Sequence, residues 1–467
     1  MLLTRDQIVQ INDASLRLLA QTGIKVAVPR VQELLLKAGC TPGIDADVVR
    51  IPEPLVAEMV ELAPTSFDLW AVDGSHAPVG PGAQPMFWTG NALHIMDEAG
   101  FRPLTEPDFV AWTRVTDHLE NVFAAVAPTI SEYPPWSRDF VGFRLLAENT
   151  RKHLRPCIYT PDGALAILEM APVLLGGVAF RERPITSFGY TIISPLHWSQ
   201  PALDLFIKSS GHGAPMMINA EPTAGSTSPV TLAGTLALAN AEALSGVVIL
   251  QLLEPGRPVV FNLGFAHTLD MRRAITRTGA PENGLLGMAG AQLAAFHGLP
   301  SASWASTESM IADAQAAAEF GLVALLNALG GVNIIWGVGQ LESQRTVSPE
   351  QGVICDDIAG AVLRAWRGIG VDAETIAEDV ITSIGHSADY LGHDHTLDHF
   401  RDELLMPALG FCGRREEWQN AGSQTQTDRA RARVREILSL PAPEYLSEDQ
   451  SAELLSIQES WMKQLAR

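Results

Sequence analysis

Paired cysteines are missing from this chain. Cys40, Cys157, Cys355 and Cys412 are widely separated and form no CxxC motif. That argues against a disulfide or zinc framework and for thiols kept reduced. Positive charge is also scarce, with 32 Lys and Arg against 53 Asp and Glu and a net charge of −21. Nucleic acids and anionic membrane surfaces need clustered Lys and Arg, so the balance argues against both as partners. Charged residues make up only 18% of the chain and apolar ones 47%, the composition of a folded protein with a substantial core. There is no internal repeat or low-complexity tract. The opening MLLTRDQIVQINDASLRLL reads as an amphipathic helix carrying Arg and Asp, not as a signal peptide, and the expected location is the cytoplasm. Long hydrophobic runs are rare. The one that stands out, Ala233 to Leu253, has Asn240 and Glu242 at its centre and Gly234 and Gly246, which favour a helix buried in protein over a membrane span.

A chain of 467 residues can form one large domain with extensions, or two or three domains. From about residue 120, short strands rich in β-branched residues alternate with helical stretches. The strand candidates are Val122–Ile130, Pro156–Tyr159, Ile185–Ile193, Met216–Asn219, Val259–Leu263, Pro300–Ser303, Val332–Trp336 and Val353–Cys355. Eight strand–helix units over that length predict an α/β fold, a (β/α)₈ TIM barrel at 121–370. An N-terminal α+β extension precedes it at 1–120, and a more charged, C-terminal helical extension at 371–467 is expected to pack on it.

In such a barrel, chemistry gathers where strands end and loops begin. Those positions carry Tyr190, Glu221, Phe265, His267, Trp304, Glu308 and Trp336, and Phe87-Trp88 from the leader could fold over the top. Aromatics converging with carboxylates suit a quaternary ammonium ion, which offers no hydrogen-bond donor and is held by π-faces and diffuse negative charge. The plainer alternative is that several of these rings only fill the barrel. Glu308 and Asp313 flank an expected helix start with Gln315 in its first turn. Acidic residues there commonly complement the helix dipole, but these three are also the candidate catalytic residues. Ser226, Thr227 and Ser228 precede the long apolar helix as candidate N-cap hydroxyls and a possible anion site. His395 and His399, at i and i+4 with His393 close by, have a spacing that invites zinc, but no third ligand motif accompanies them and no metal is expected.

Several strings in order resemble the trimethylamine methyltransferase family. They are Leu18–Val26, Arg50-Ile51-Pro52, Ile193-Ser194-Pro195-Leu196, Pro229–Gln251, Asp313-Ala314-Gln315, Leu391–Arg401 and Arg429–Leu438. The resemblance implies a TIM barrel that passes a methyl group from a methylated amine to the Co(I) of a corrinoid. The cobalamin is supplied by a separate corrinoid protein and not bound tightly by this chain. No pyrrolysine appears, so the chain resembles the branch of glycine betaine and related quaternary-amine methyltransferases. A quaternary nitrogen already leaves as a neutral tertiary amine and needs no extra activating group. In that light Tyr190, Trp304 and Trp336, with Trp88 and Phe265, are expected to cage the trimethylammonium, and Glu308 or Glu221 to add negative charge. A betaine carboxylate would find its donors at Ser226–Ser228, His267 or Arg345. Three positions depart from the family: Met310 where relatives commonly carry Lys, Trp336 where they carry His, and Asp394 in place of Pro. These departures leave open a quaternary-amine binding protein on the same barrel that transfers nothing. A zinc-assisted methyltransferase for a thiol or methanol is a third possibility. The apolar helices and helical tail favour a homo-oligomer.

Overall fold

The computed structural model describes residues 2–386 and 389–466. Eight parallel strands form its centre: β1 (Met86–Thr89), β2 (Val122–Val126), β3 (His153–Arg155), β4 (Phe188–Ile192), β5 (Met216–Ala220), β6 (Val259–Gly264), β7 (Ser301–Trp304) and β8 (Ile334–Val338). They lie in one curled sheet in the order β3-β2-β1-β8-β7-β6-β5-β4. The two edge strands approach each other at a single parallel bridge between Leu154 and Thr186, where the Leu154 N–H donates to the Ile185 carbonyl at 2.9 Å. Each strand is followed by a helix: α1 (Glu106–Asp117), α2 (Arg138–Asn149), α3 (Pro161–Met170), α4 (Gln200–Lys208), α5 (Leu232–Leu253), α6 (Pro281–Phe296), α7 (Ala314–Gly330) and α8 (Pro349–Arg367). The helices cover the outside of the sheet, so β5, β6, β7 and β8 are buried at every residue. Strands buried on both faces read as continuous apolar runs. That is why the sequence found them.

Alternation of side chains decides what faces inward. Met86 and Trp88, Ala124 and Val126, Met217, Val260, Ala302 and Trp304, and Ile334 and Trp336 form the interior cluster of the ring. Trp304 and Trp336 are direct cross-strand neighbours.

Two strand expectations are corrected. Val353–Cys355 is not a strand but lies within α8, whose first turn is capped by Ser348 accepting from the Gln351 N–H. The buried Val353, Ile354, Ala359 and Val362 recur at helical, not alternating, spacing. The remaining strand is Met86–Thr89, so Phe87 and Trp88 do not fold over the top from a loop. They lie inside the sheet, between β8 and β2. The predicted strand Pro156–Tyr159 forms a few residues earlier, as His153–Arg155, in register with Ala124–Val126.

The apolar α5 is a core helix whose most hydrophobic window is 83% buried. Helix Arg5–Gln21 runs along it, with the Ser15 hydroxyl donating to the Ala237 carbonyl at 2.8 Å and the Asn240 amide to Asn12 at 3.3 Å. Glu242 at its centre accepts from the Ser194 hydroxyl (2.8 Å) and the Leu196 N–H (2.9 Å), tying the loop after β4 to the helix. Desolvation pushes this carboxyl up to about 7. Toward the C-terminus, helix Gln426–Ser439 packs on α8 and α1, and helix Glu448–Leu465 on α2 and α3.

Candidate functional site

A cavity of about 370 Å³ opens at the C-terminal ends of the ring strands. Its wall has two halves. On one side Phe265, Trp304 and Trp336 present rings, with Tyr159 and Tyr190 beside them. On the other are Arg155, Gly189, Thr191 and Asn219 from β3, β4 and β5, with Glu221 and Gln344 from the loops above. Of the residues expected in the pocket, Tyr190, Glu221, Phe265, Trp304 and Trp336 are brought together here.

The aromatic half packs mostly against itself. Trp304 and Trp336 stack with centroids 5.4 Å apart, Phe265 tilts onto Trp304 at 4.8 Å and meets Trp336 edge-on at 6.0 Å. A trimethylammonium does not fit between such rings. It can only lie against the faces and edges turned to the cavity. The Trp304 indole N–H donates to Gln340 at 2.6 Å, and Gln340 in turn donates to the Asn91 carbonyl, which fixes the ring's orientation. Trp88 does not line the cavity. It is fully buried behind Trp336, centroids 4.9 Å apart.

The polar half holds the residue that sequence reasoning missed. Arg155, the last residue of β3, is 5% exposed. Its guanidinium lies 5.1 Å above the Trp336 ring and donates from Nη1 to the Pro156 carbonyl at 2.5 Å. Among the described residues no carboxylate lies within 4.0 Å of it, and its Nε has no acceptor. Room for the group comes from Gly189, where a side chain would begin 2.8 Å from Arg155 Nη2. Desolvation lowers this guanidinium to about 10, so it is still a cation at neutral pH. A buried charge without a counterion is costly, and such groups are normally paired. The neighbouring Cys157 is no counterion. Burial pushes its thiol up to about 11, and it donates to the Ala127 carbonyl at 3.2 Å.

At the rim, Glu221 Oε1 lies 3.3 Å from His267 Nε2. Asn283 donates to the Arg277 carbonyl (2.7 Å) and to His267 Nδ1 (3.2 Å). The proton of a neutral His267 therefore sits on Nε2, facing Glu221. His267 thus stands behind Glu221 and not on the cavity wall.

Glu308, Asp313 and Gln315 do not line the cavity. Glu308 accepts from the Thr278 and Gly279 N–H groups at 2.5 and 2.8 Å and lies 3.6 Å from Arg277, joining the loops after β6 and β7. Asp313 is the N-cap of α7, accepting from Ala316 N–H at 3.0 Å and the Ser309 hydroxyl at 2.9 Å. Gln315 is exposed and donates to Glu319 at 3.1 Å. Ser226–Ser228 also sit elsewhere. The N-cap of α5 is Thr231, and the hydroxyls of Thr227 and Ser228 close a local turn through Thr223 N–H and Thr235. Arg345 is exposed. His393 caps helix Asp394–Glu403 by accepting from His395 N–H, the His395 and His399 rings are 4.4 Å apart, and His399 faces Glu374 at 3.5 Å. Among the described residues no group of three or more His, Cys, Asp and Glu is arranged around a metal position.

A larger cavity, about 700 Å³, lies at the opposite end of the ring, beside Met86, Val122 and Lys152. Its buried cation is already paired, since Lys152 donates to the Leu119 and Val122 carbonyls at 2.8 and 2.5 Å. The cavity at the strand ends is the one with polar groups still in need of partners.

Residues 1–460 match the sequence profile of the family described as Trimethylamine methyltransferase (MTTB). The trimethylamine methyltransferase of Desulfitobacterium hafniense is 31% identical over 463 residues, covering 97% of this chain and 92% of the relative. The glycine betaine methyltransferase of the same species is 28% identical, covering 97% and 95%. In fold the chain is similar to the crystal structure of the Methanosarcina barkeri monomethylamine methyltransferase, with a TM-score of 0.52 at 13% identity over 98% of this chain and 99% of the other.

Proposed function

The chain belongs to the trimethylamine methyltransferase family, and from that premise we propose that its methyl donor is a betaine, a quaternary amine carrying a carboxylate. The observation that supports this most is Arg155, a buried guanidinium without a carboxylate, seated beside the Trp336 ring on the cavity that Phe265 and Trp304 also line. One half of the cavity suits an anion and the other a methylated cation. A betaine is both at once. We read the curled sheet as a (β/α)₈ barrel, with the segments at 1–120 and 371–467 as extensions on either side and β1 drawn from the first of them.

A methyl acceptor on a partner protein can approach only from the open mouth, and that requirement sets the orientation. Arg155, Trp304 and Trp336 are buried, while Tyr190 and Glu221 at the rim are part-exposed. With its carboxylate on Arg155, a betaine turns its ammonium toward the rim and a methyl group toward solvent. The rings bind the ammonium through contacts of roughly 0.5–2 kcal/mol each. They also keep water from a reaction in which charge disappears at nitrogen. Modest binding is an advantage here, because nitrogen loses its charge as the C–N bond breaks and ground-state cation binding does not accelerate the step. The pairing of Glu221 with His267 limits that ground-state hold in the same way. Nitrogen keeps the bonding electron pair and departs as a neutral tertiary amine. A Co(I) corrinoid carried on a partner protein supplies the nucleophile that receives the methyl group. The rim fits such a partner: the loops after β4, β6 and β7 expose Ile193, Met271, Ile275, Met310 and Ile311 around the mouth.

The test has two parts. Calorimetric titration with glycine betaine, choline and trimethylamine is expected to give binding of glycine betaine above the other two. Incubation with glycine betaine and a reduced corrinoid protein is expected to release the demethylated tertiary amine, detected by mass spectrometry. Tight binding without that product would make the chain a binding protein. Preference for choline would refute the carboxylate assignment.

A further inference from the structure

The loop after β8 is held in a conformation that its residues disfavour. Glu342, Ser343 and Gln344 have φ of +52°, +50° and +74°, three consecutive non-glycine residues in the left-handed region. Side chains with a Cβ rarely adopt it even singly. Strain of this kind persists only where the surroundings impose it, and it concentrates at functional sites. The surroundings are clear. Glu342 and Ser343 N–H groups donate to the Ser309 and Thr307 carbonyls at 2.8 and 2.9 Å, and the Thr346 hydroxyl donates to the Glu342 carboxylate at 2.7 Å.

What the conformation achieves is the placement of Gln344. Its side chain lines the cavity of Arg155, and its amide nitrogen Nε2 is buried without an acceptor. Arg155 Nε is in the same condition. The Trp336 indole N–H on the same wall is buried without an acceptor too, and three such donors on one small cavity call for an anion, since buried polar groups otherwise carry the full cost of lost hydration.

Resting on the betaine reading above, we propose that Gln344 is a specificity-determining residue whose carboxamide N–H donates to the substrate carboxylate alongside Arg155. The strained loop holds that donor in place before substrate arrives, so little order is lost on binding. This also gives the Thr307–Ser309 turn a role. It sets the position of Gln344 through backbone hydrogen bonds without touching substrate.

The experiment measures the Kd of glycine betaine and of tetramethylammonium, which has the same cation and no carboxylate, for the wild type and for Gln344→Ala, Gln344→Gly and Gln344→Glu. Loss of one hydrogen bond to a charged group predicts about tenfold weaker glycine betaine binding in the Ala and Gly variants. The Glu variant is expected to lose more, because a second carboxylate repels the first. Tetramethylammonium binding is expected to stay within about twofold in the Ala and Gly variants, and to hold or strengthen in the Glu variant, whose added charge attracts the cation. Gln344→Gly suits a positive φ, so its melting temperature is expected to match or exceed the wild type's. Unchanged glycine betaine binding in Gln344→Ala would overturn this assignment and leave the betaine reading standing. An equal loss of both ligands would reduce Gln344 to a structural role. A wild type that binds tetramethylammonium but not glycine betaine would overturn both proposals.

Discussion

The turn at Thr307–Glu319 and the cavity of Arg155 are both polar and sit at the same end of the sheet, yet they differ in one respect. In the turn, most polar groups are paired, although Glu308 Oε2 is buried without a hydrogen bond, 3.6 Å from Arg277. Glu308 receives two backbone N–H groups, Asp313 caps α7, and Glu319 accepts from the Thr307 hydroxyl, the Glu308 N–H and Gln315. In the cavity, Arg155 Nε, Gln344 Nε2 and Trp336 Nε1 are buried and unpaired. A completed network belongs to the fold, because its hydrogen bonds offset the desolvation of its members. An incomplete one at a cavity is stable only because something else completes it. By that criterion the acidic turn, which invites a catalytic role on sequence alone, reads as part of the fold, and the cavity is the substrate site we propose.

The largest effect should follow from breaking the incomplete side. Arg155→Met removes the only cation among the described residues that line the cavity. Leaving a carboxylate buried without its partner costs about 3–5 kcal/mol, so glycine betaine affinity should fall more than about hundredfold while tetramethylammonium affinity holds. Trp336→Ala is next. It should weaken both ligands by about tenfold, the value of one cation–π wall, and reduce resistance to urea as a large buried ring is lost. If Trp336→Ala bound glycine betaine as the wild type does, the aromatic assignment would fail.

Glu242→Gln probes a buried carboxyl outside both regions, in α5, where it accepts from the Ser194 hydroxyl and the Leu196 N–H. Its folded pKa of about 7 is raised above the usual carboxylate range by burial. The protonated form is therefore the one the fold favours. Its stabilising contribution is fully present below about pH 4.5 and is lost as pH rises through about 7, on the order of 3 kcal/mol. The neutral Gln variant should gain melting temperature over the wild type at pH 8 and lose that advantage at pH 5. A pH-independent difference would contradict the burial argument. The smallest effect is expected from Asp313→Ala. Loss of a cap should cost about 1 kcal/mol of stability, read by chemical denaturation, with the affinity for glycine betaine unchanged. A large fall in methyl transfer with stability intact would return Asp313 to the chemistry.

Much of this was legible beforehand. The strands β2 and β4 to β8 announce themselves as apolar, β-branched runs, and residues at their ends, Tyr190, Glu221, Phe265, Trp304 and Trp336, do meet in one cavity. The strand Met86–Thr89 was obscured because it follows a Pro/Gly-rich stretch in a region that also contains other short strands, so nothing local marks it as part of the ring. Arg155 escaped because β3 was expected at Pro156–Tyr159. The register that ends the strand at Arg155 comes from pairing with Ala124–Val126, a contact across the chain that no local pattern encodes. Gln344 gave no signal at all. Its position depends on three non-glycine residues at positive φ, imposed by hydrogen bonds to a distant turn. The acidic residues at 308 and 313 stand away from the cavity, and in sequence a dipole-complementing cap and a catalytic pair look alike.

A crystal structure of the protein with glycine betaine would test the central claim most directly. The account predicts the carboxylate within hydrogen-bond distance of both the Arg155 guanidinium and the Gln344 amide, and the trimethylammonium against Trp304 and Trp336 with a methyl group toward the rim. A betaine bound in the reverse orientation, or at the turn of Glu308 and Asp313, would contradict it.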